Sequence, residues 1–252
     1  MINIIVLDID GTLLRSNGKV SQRTVEALKG CMDLGKKIVI ATARPPMSIS
    51  ELLPSEIHDS VWICYNGAEI YEGGEKIYEK YIHSSNSKQI VEWINMNSPS
   101  CKVGIESENE LFANQTLWEG WTCRVVDLTS VTQRNIAKIL VDLEHFEDRD
   151  IFLNSLPDGC RITTTDKGCL GHIMENSVSK AEALRFMLSR WGLTMDNVIA
   201  FGDDVNDVEI ISASGIGVAM GNGVLEVKEV AKLITKSNDE DGIAVVLEDM
   251  FL

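Results

Sequence analysis

Ile4-Ile5-Val6-Leu7-Asp8-Ile9-Asp10-Gly11-Thr12 opens the chain with an apolar run that ends on two acids and a glycine. A short run rich in β-branched side chains reads as a buried strand, and Gly11 lets the backbone turn away at its carboxyl end. Both acids then stand at a strand tip. Side chains alternate along a strand, so Asp8 and Asp10 are expected to point the same way with Ile9 opposed. Carboxylates at such close range repel unless a cation lies between them or one keeps its proton. An acidic turn that merely caps the next segment is the alternative reading.

Working outward, Ser21 caps a helix with apolar positions Val25, Leu28 and Met32 that ends at Gly35, and Lys37 to Ala41 forms a second strand. Strand, helix and strand within so few residues predict a parallel βαβ unit with a right-handed crossover. Thr42, Ala43 and Arg44 follow that second strand, and Pro45 and Pro46 stop its continuation. Ligands in open parallel sheets collect at such carboxyl ends, so Thr42 falls beside the Asp8 loop. Val61 to Cys64 is a further strand, and Asn66-Gly67 after it signals a hairpin.

From about His83 the pattern changes. A helix with Ile90, Val91 and Ile94 precedes short strands near Val103, Phe112, Ile139, Arg161 and Leu170, which together predict a small α+β insert. After Ser177 the α/β pattern returns with a helix from Lys180 to Gly192. A strand from Val198 to Phe201 follows and ends in Gly202-Asp203-Asp204-Val205-Asn206-Asp207. The fold class is α/β: a Rossmann-like parallel sheet core formed by residues 1–82 and 175–252, with an inserted α+β cap over residues 83–174.

The formal charge of -15 works against binding to nucleic acid or to anionic membrane surfaces. The N-terminal apolar run ends too early for a signal-peptide core and no run is long enough to span a membrane, so a cytoplasmic protein is expected. Six scattered cysteines without a C-x-x-C pair read as reduced and mostly buried thiols, and four dispersed histidines make a zinc site improbable.

The ordered set Asp8-Ile9-Asp10-Gly11-Thr12, Ala41-Thr42-Ala43-Arg44, Lys180 and Gly202 to Asp207 resembles the haloacid dehalogenase superfamily, and the position of the insert resembles its type-II-capped, Cof-type phosphatases. Asn66-Gly67 and Met220-Gly221-Asn222 are also common in those relatives. The resemblance implies a nucleophile at Asp8 that forms an aspartyl phosphate, and a general acid and base at Asp10. It further implies a magnesium ion held by the Asp8 carboxylate, the Asp10 backbone carbonyl and Asp203, with Asp207 supporting that shell. Hard oxygen donors suit that ion, and a metal with a lysine lets a weak carboxylate nucleophile attack a phosphate dianion. Thr42, Ala43, Arg44, Lys180 and Asn206 would meet the phosphoryl group or balance its charge. A lysine at a helix start is otherwise a solvated surface residue.

Two positions depart from the pattern: Ala43 and Ala181 stand where relatives carry glycine, and a position needing positive φ would be strained by alanine. Arg44 faces either the substrate or an acid of the cap. Gly215 to Gly221 has the wrong spacing for a dinucleotide loop and reads as close backbone packing. Trp118 and Trp121 read as core of the insert in preference to a substrate pocket. The expected activity is magnesium-dependent hydrolysis of small phosphorylated metabolites, sugar phosphates first, with the insert closing over the site. A phosphomutase and a phospho-ligand sensor of low turnover are the alternatives. Expected partners are a small phosphate ester, no nucleic acid and no membrane, in a monomer or weak homodimer.

Overall fold

The computed structural model describes residues 1–252 apart from His145, Glu147, Asp148, Asp166 and Lys167. In chain order the strands and helices are β1 (Ile4–Leu7), α1 (Gln22–Asp33), β2 (Lys37–Ala41), α2 (Pro46–Leu52), β3 (Val61–Cys64), β4 (Glu69–Glu72) and β5 (Glu75–Glu79). There follow α3 (Ser84–Asn97), β6 (Val103–Ser107), β7 (Glu110–Ala113), β8 (Arg124–Val125), β9 (Ile136–Asp142), α4 (Arg149–Ser155), β10 (Cys160–Thr165) and β11 (Leu170–Glu175). The last part holds α5 (Lys180–Trp191), β12 (Val198–Gly202), α6 (Val208–Ala213), β13 (Ile216–Ala219), α7 (Leu225–Val230), β14 (Leu233–Ile234) and α8 (Gly242–Phe251).

Contacts divide the chain into two compact units, Met1–Tyr78 with Ser179–Leu252, and Glu79–Val178. These bounds lie four residues outside the 83–174 stretch read from sequence. The flanking residues are tied to the insert itself: Ile82 bridges Ile136, and Lys80 pairs with Glu175 at 3.6 Å.

In the first unit an eight-stranded sheet runs β14-β13-β12-β1-β2-β3-β4-β5. It is parallel from β14 to β3, with β4 antiparallel to β3. All four residues of β1 are buried, as a strand covered by helices on both faces requires. Strand order reverses between β1 and β12, and Asp8 and Asp203 leave their strands at that switch point, where open α/β sheets place ligands.

Helix α1 starts where Ser21 accepts the Thr24 N–H at 3.1 Å, and it buries Val25, Leu28 and Cys31. Met32 falls outside that face and is exposed, so the apolar stripe continues through Cys31. β2 ends at Ala41 ahead of the two prolines, and Pro46 then begins α2, since a proline in the first helical turn lacks only an N–H that has no partner there anyway. Close packing explains the late glycines: a Cβ on Gly215 or Gly217 would collide with the Asp196 or Ile211 carbonyl.

The insert carries a sheet in the order β10-β11-β9-β6-β7-β8, with α3 and α4 against one core built on Ile90, Ile105, Ile139 and Phe152. Trp118 and Trp121 are not part of that core. They meet edge to face at 5.3 Å in a loop, with Trp118 half-buried and Trp121 exposed. Cys31, Cys64 and Cys101 are buried, Cys123, Cys160 and Cys169 are half-buried, and all six are free. Among the described residues no helix is long and apolar enough to cross a membrane.

Candidate active site

Strand β1 ends at Leu7, and the chain winds through one wide turn over Ile9–Leu13 in which the Leu13 N–H donates to the Asp8 carbonyl at 3.2 Å. Strand alternation therefore stops before the acids, and they do not share an environment. Asp8 is buried, and its Oδ1 accepts from Lys180 Nζ at 2.6 Å. Asp10 lies at the surface, where Arg44 Nε and Nη2 donate to its two oxygens at 2.6 Å each. The partner of Arg44 is thus in the same unit and not in the insert. With the Asp10 side chain 55% exposed, this fork fixes geometry more than it stabilises the fold.

Lys180 is the first residue of α5, directly after Ser179, whose hydroxyl accepts the Glu182 N–H at 3.2 Å and caps the helix. It is not a solvated lysine: its side chain is 1% exposed and also donates to Asp207 Oδ1 at 2.7 Å. The other Asp207 oxygen accepts the backbone N–H groups of Asp203 at 3.0 Å and Asp204 at 3.2 Å. Thr12 Oγ1 donates to Asp203 Oδ1 at 2.7 Å and so ties the two strand tips together.

Among the described residues, Asp8, Asp203 and Asp207 form one group of carboxylates whose oxygens lie within 4.8 Å of one another. Three acids face one ammonium there, an excess of negative charge in a dry site. Burial pushes the Asp8 carboxyl well up, and Asp207 and Asp203 add to this against the opposing pull of Lys180. Burial also pushes Asp203 up, to about 7. Burial works against the Lys180 ammonium, but Asp207 and Asp8 outweigh it and hold its pKa above the ordinary lysine value. The donors are hard oxygens, and Gly11 at φ +75° leaves the space in which a Cβ would strike the Asp203 carboxylate. This arrangement fits a small divalent cation.

Thr42 is buried at the end of β2, and its Oγ1 accepts the Arg44 N–H at 3.2 Å, which leaves its own O–H to donate elsewhere. Ala43 and Ala181 are not at positive φ, so neither departure from glycine strains the backbone. Asn206 Nδ2 donates to Asn66 Oδ1 at 2.9 Å. Sequence reasoning missed three contacts here: Thr12 on Asp203, Asn66 on Asn206, and Asn222, whose Nδ2 donates to the Gly11 carbonyl at 2.8 Å. Thr12 stands in the opening motif, and Asn66 and Asn222 stand in stretches common among the relatives, but none of them carries an assigned contact there.

The family profile of haloacid dehalogenase-like hydrolases matches residues 5–247. The 5-amino-6-(5-phospho-D-ribitylamino)uracil phosphatase YcsE of Bacillus subtilis is 30% identical over 252 residues, covering 100% of this chain and 96% of the relative. Two solved structures from Bacteroides thetaiotaomicron are each 28% identical to it. BT1666, described among phosphatases of the superfamily, aligns with TM-score 0.88 over 99% of this chain and 95% of its own. A haloacid dehalogenase-like hydrolase aligns with TM-score 0.83 over 100% of both chains. The chain belongs to the haloacid dehalogenase-like hydrolases, as a Cof-type phosphoric monoester hydrolase.

Proposed function

We propose that this phosphatase acts on small phosphorylated metabolites of the sugar or sugar-alcohol class, through a phosphoryl group carried on Asp8. The observation that carries the reading is the buried ammonium of Lys180 between Asp8 and Asp207, with Asp203 close by. The substrate named for YcsE carries its phosphate on a ribityl chain, which supports that class.

Asp8 attacks phosphorus, and the P–O bond to the leaving alcohol breaks as the new bond forms. Asp10 gives its proton to the leaving oxygen, then takes one from the water that hydrolyses the acyl phosphate, so one carboxyl serves both steps. In this structure Arg44 donates to both Asp10 oxygens and so holds it as a carboxylate; that fork opens for Asp10 to carry the proton it gives. Thr42 O–H, the Ala43 backbone and Asn206 meet the phosphoryl oxygens, and Lys180 opposes the burial that favours a protonated Asp8 and holds its carboxyl in line. Asp8, Asp203 and the Asp10 carbonyl, with Asp207 in support, would hold a magnesium ion, which would supply the positive charge that the three acids lack. Free thiols at all six cysteines support a reducing, cytoplasmic setting.

Asp8→Ala should abolish release of phosphate from p-nitrophenyl phosphate; unchanged turnover refutes the assignment. With a hexose phosphate, free phosphate supports hydrolysis, whereas an isomeric sugar phosphate without release indicates a mutase.

A further inference from the structure

Tyr65, Asn66 and Gly67 have φ of 51°, 58° and 108°, three consecutive left-handed residues between β3 and β4. Glycine accepts that conformation and asparagine tolerates it, but for a bulky tyrosine it costs about 1–2 kcal/mol. Hairpin closure does not demand it. Cys64 pairs with Glu69, and a loop of that length is ordinarily built on a type I turn without left-handed side chains. A strained turn that persists is held by its neighbours, and such turns gather at functional sites.

Its neighbours are the loops of the site. The Tyr65 N–H donates to the Arg44 carbonyl at 3.1 Å and the Asn66 N–H to the Thr42 carbonyl at 2.8 Å. A Cβ on Gly67 would collide with the carbonyl of Ser179, the residue before Lys180. Asn66 Oδ1, in a side chain only 2% exposed as a residue, accepts from Asn206. One turn therefore touches the segments that carry Thr42, Lys180 and Asn206, which come from distant parts of the chain.

We infer that Asn66 is a positioning residue for phosphoryl binding, acting through Asn206. A carboxamide can present either its oxygen or its nitrogen, and only the nitrogen attracts a phosphoryl oxygen. With Asn66 Oδ1 taking one N–H, Asn206 is fixed nitrogen-first and its second N–H is left for the substrate. The turn holds Thr42 and the start of α5 in register with it. This inference rests on the assignment of Thr42, Lys180 and Asn206 to the phosphoryl group given above.

The test is a double-mutant cycle of Asn66→Gly, Asn206→Ala and the pair, in magnesium. KM and kcat for p-nitrophenyl phosphate, inhibition by orthophosphate and the thermal midpoint are read for each. Glycine keeps the left-handed backbone and removes only the side chain. Asn66→Gly should raise KM and the orthophosphate inhibition constant about fivefold to tenfold, the worth of one hydrogen bond, with a smaller change in kcat. Its effect on the inhibition constant should be several-fold smaller once Asn206 is alanine. Multiplicative losses, or an unchanged inhibition constant in Asn66→Gly, overturn the inference. Should Asn66→Gly fail to fold, Asn66→Asp keeps the acceptor: Asn206→Ala should cost as much there as in the parent, and a lost cost overturns the inference. A parent enzyme that hydrolyses no phosphate monoester would instead sink the underlying assignment, and orthophosphate titration by calorimetry would still read the cycle.

Discussion

Replacement of Lys180 by methionine tests the electrostatics of the site most directly. The ammonium is 1% exposed and bonds Asp8 at 2.6 Å and Asp207 at 2.7 Å. Methionine fills much of the same volume but leaves three acids within 4.8 Å of one another with no cation among them. Removing one partner of a buried pair costs about 3–5 kcal/mol. For a chain of this size each kcal/mol moves the thermal midpoint by about 2–4 °C, so the metal-free variant should melt roughly 6–20 °C below the parent. The assay is thermal unfolding in chelator, repeated with magnesium. Magnesium at about a hundred times its dissociation constant adds about 2.7 kcal/mol, so the variant should recover part of the loss. Turnover of p-nitrophenyl phosphate should fall about 100-fold to 1000-fold, as when one preorganised donor is lost from a site. A variant that melts with the parent in chelator and turns over at the parent rate would refute the role of Lys180 as the counter-charge of these acids.

Gly11→Ala puts a Cβ against the Asp203 carboxylate at a φ of +75°. A strain of about 1–2 kcal/mol and weaker magnesium binding by calorimetry should follow. Ser179→Ala removes the cap of α5 and should lower the thermal midpoint by about 2–4 °C, for a cap worth about 1 kcal/mol, by scanning calorimetry. Asp241 is held below the usual carboxylate range because its bonds to Ser21 and Arg15 outweigh burial. A carboxyl lowered in the folded state stabilises above its unfolded pKa of about 3.9 and loses that contribution as pH falls through its folded value. Asp241→Asn should therefore melt below the parent at neutral pH, with the gap closing in acid; a gap that widens in acid would contradict the sign.

Much of the sheet was legible because its signals are local. Ser21 and Gly192 mark helix ends by their own chemistry, and the buried run of β1 needs no partner to be recognised. The acids at both strand tips were legible for the same reason. What escaped was set by contacts between distant residues. Lys180 was legible only through the family resemblance, for by itself it looks like any lysine at a helix start, and its bonds to Asp8 and Asp207 form only once β1 and β12 are side by side. The partner of Arg44 could not be read from a motif that offered both substrate and cap. Met32 shows the limit of local rules: an apolar residue one position off the stripe faces water. Trp121, exposed beside a half-buried Trp118, shows that composition does not place an aromatic side chain inside.

The first strand lies in the middle of its sheet, between β2 and β12. As the chain leaves the ribosome, β2 follows within some forty residues, but β12 begins only at Val198. One edge of an apolar strand therefore stays unpaired until most of the polypeptide has been made. An open edge of that kind invites pairing with other chains, so the newborn protein passes through a sticky interval before its phosphatase centre exists.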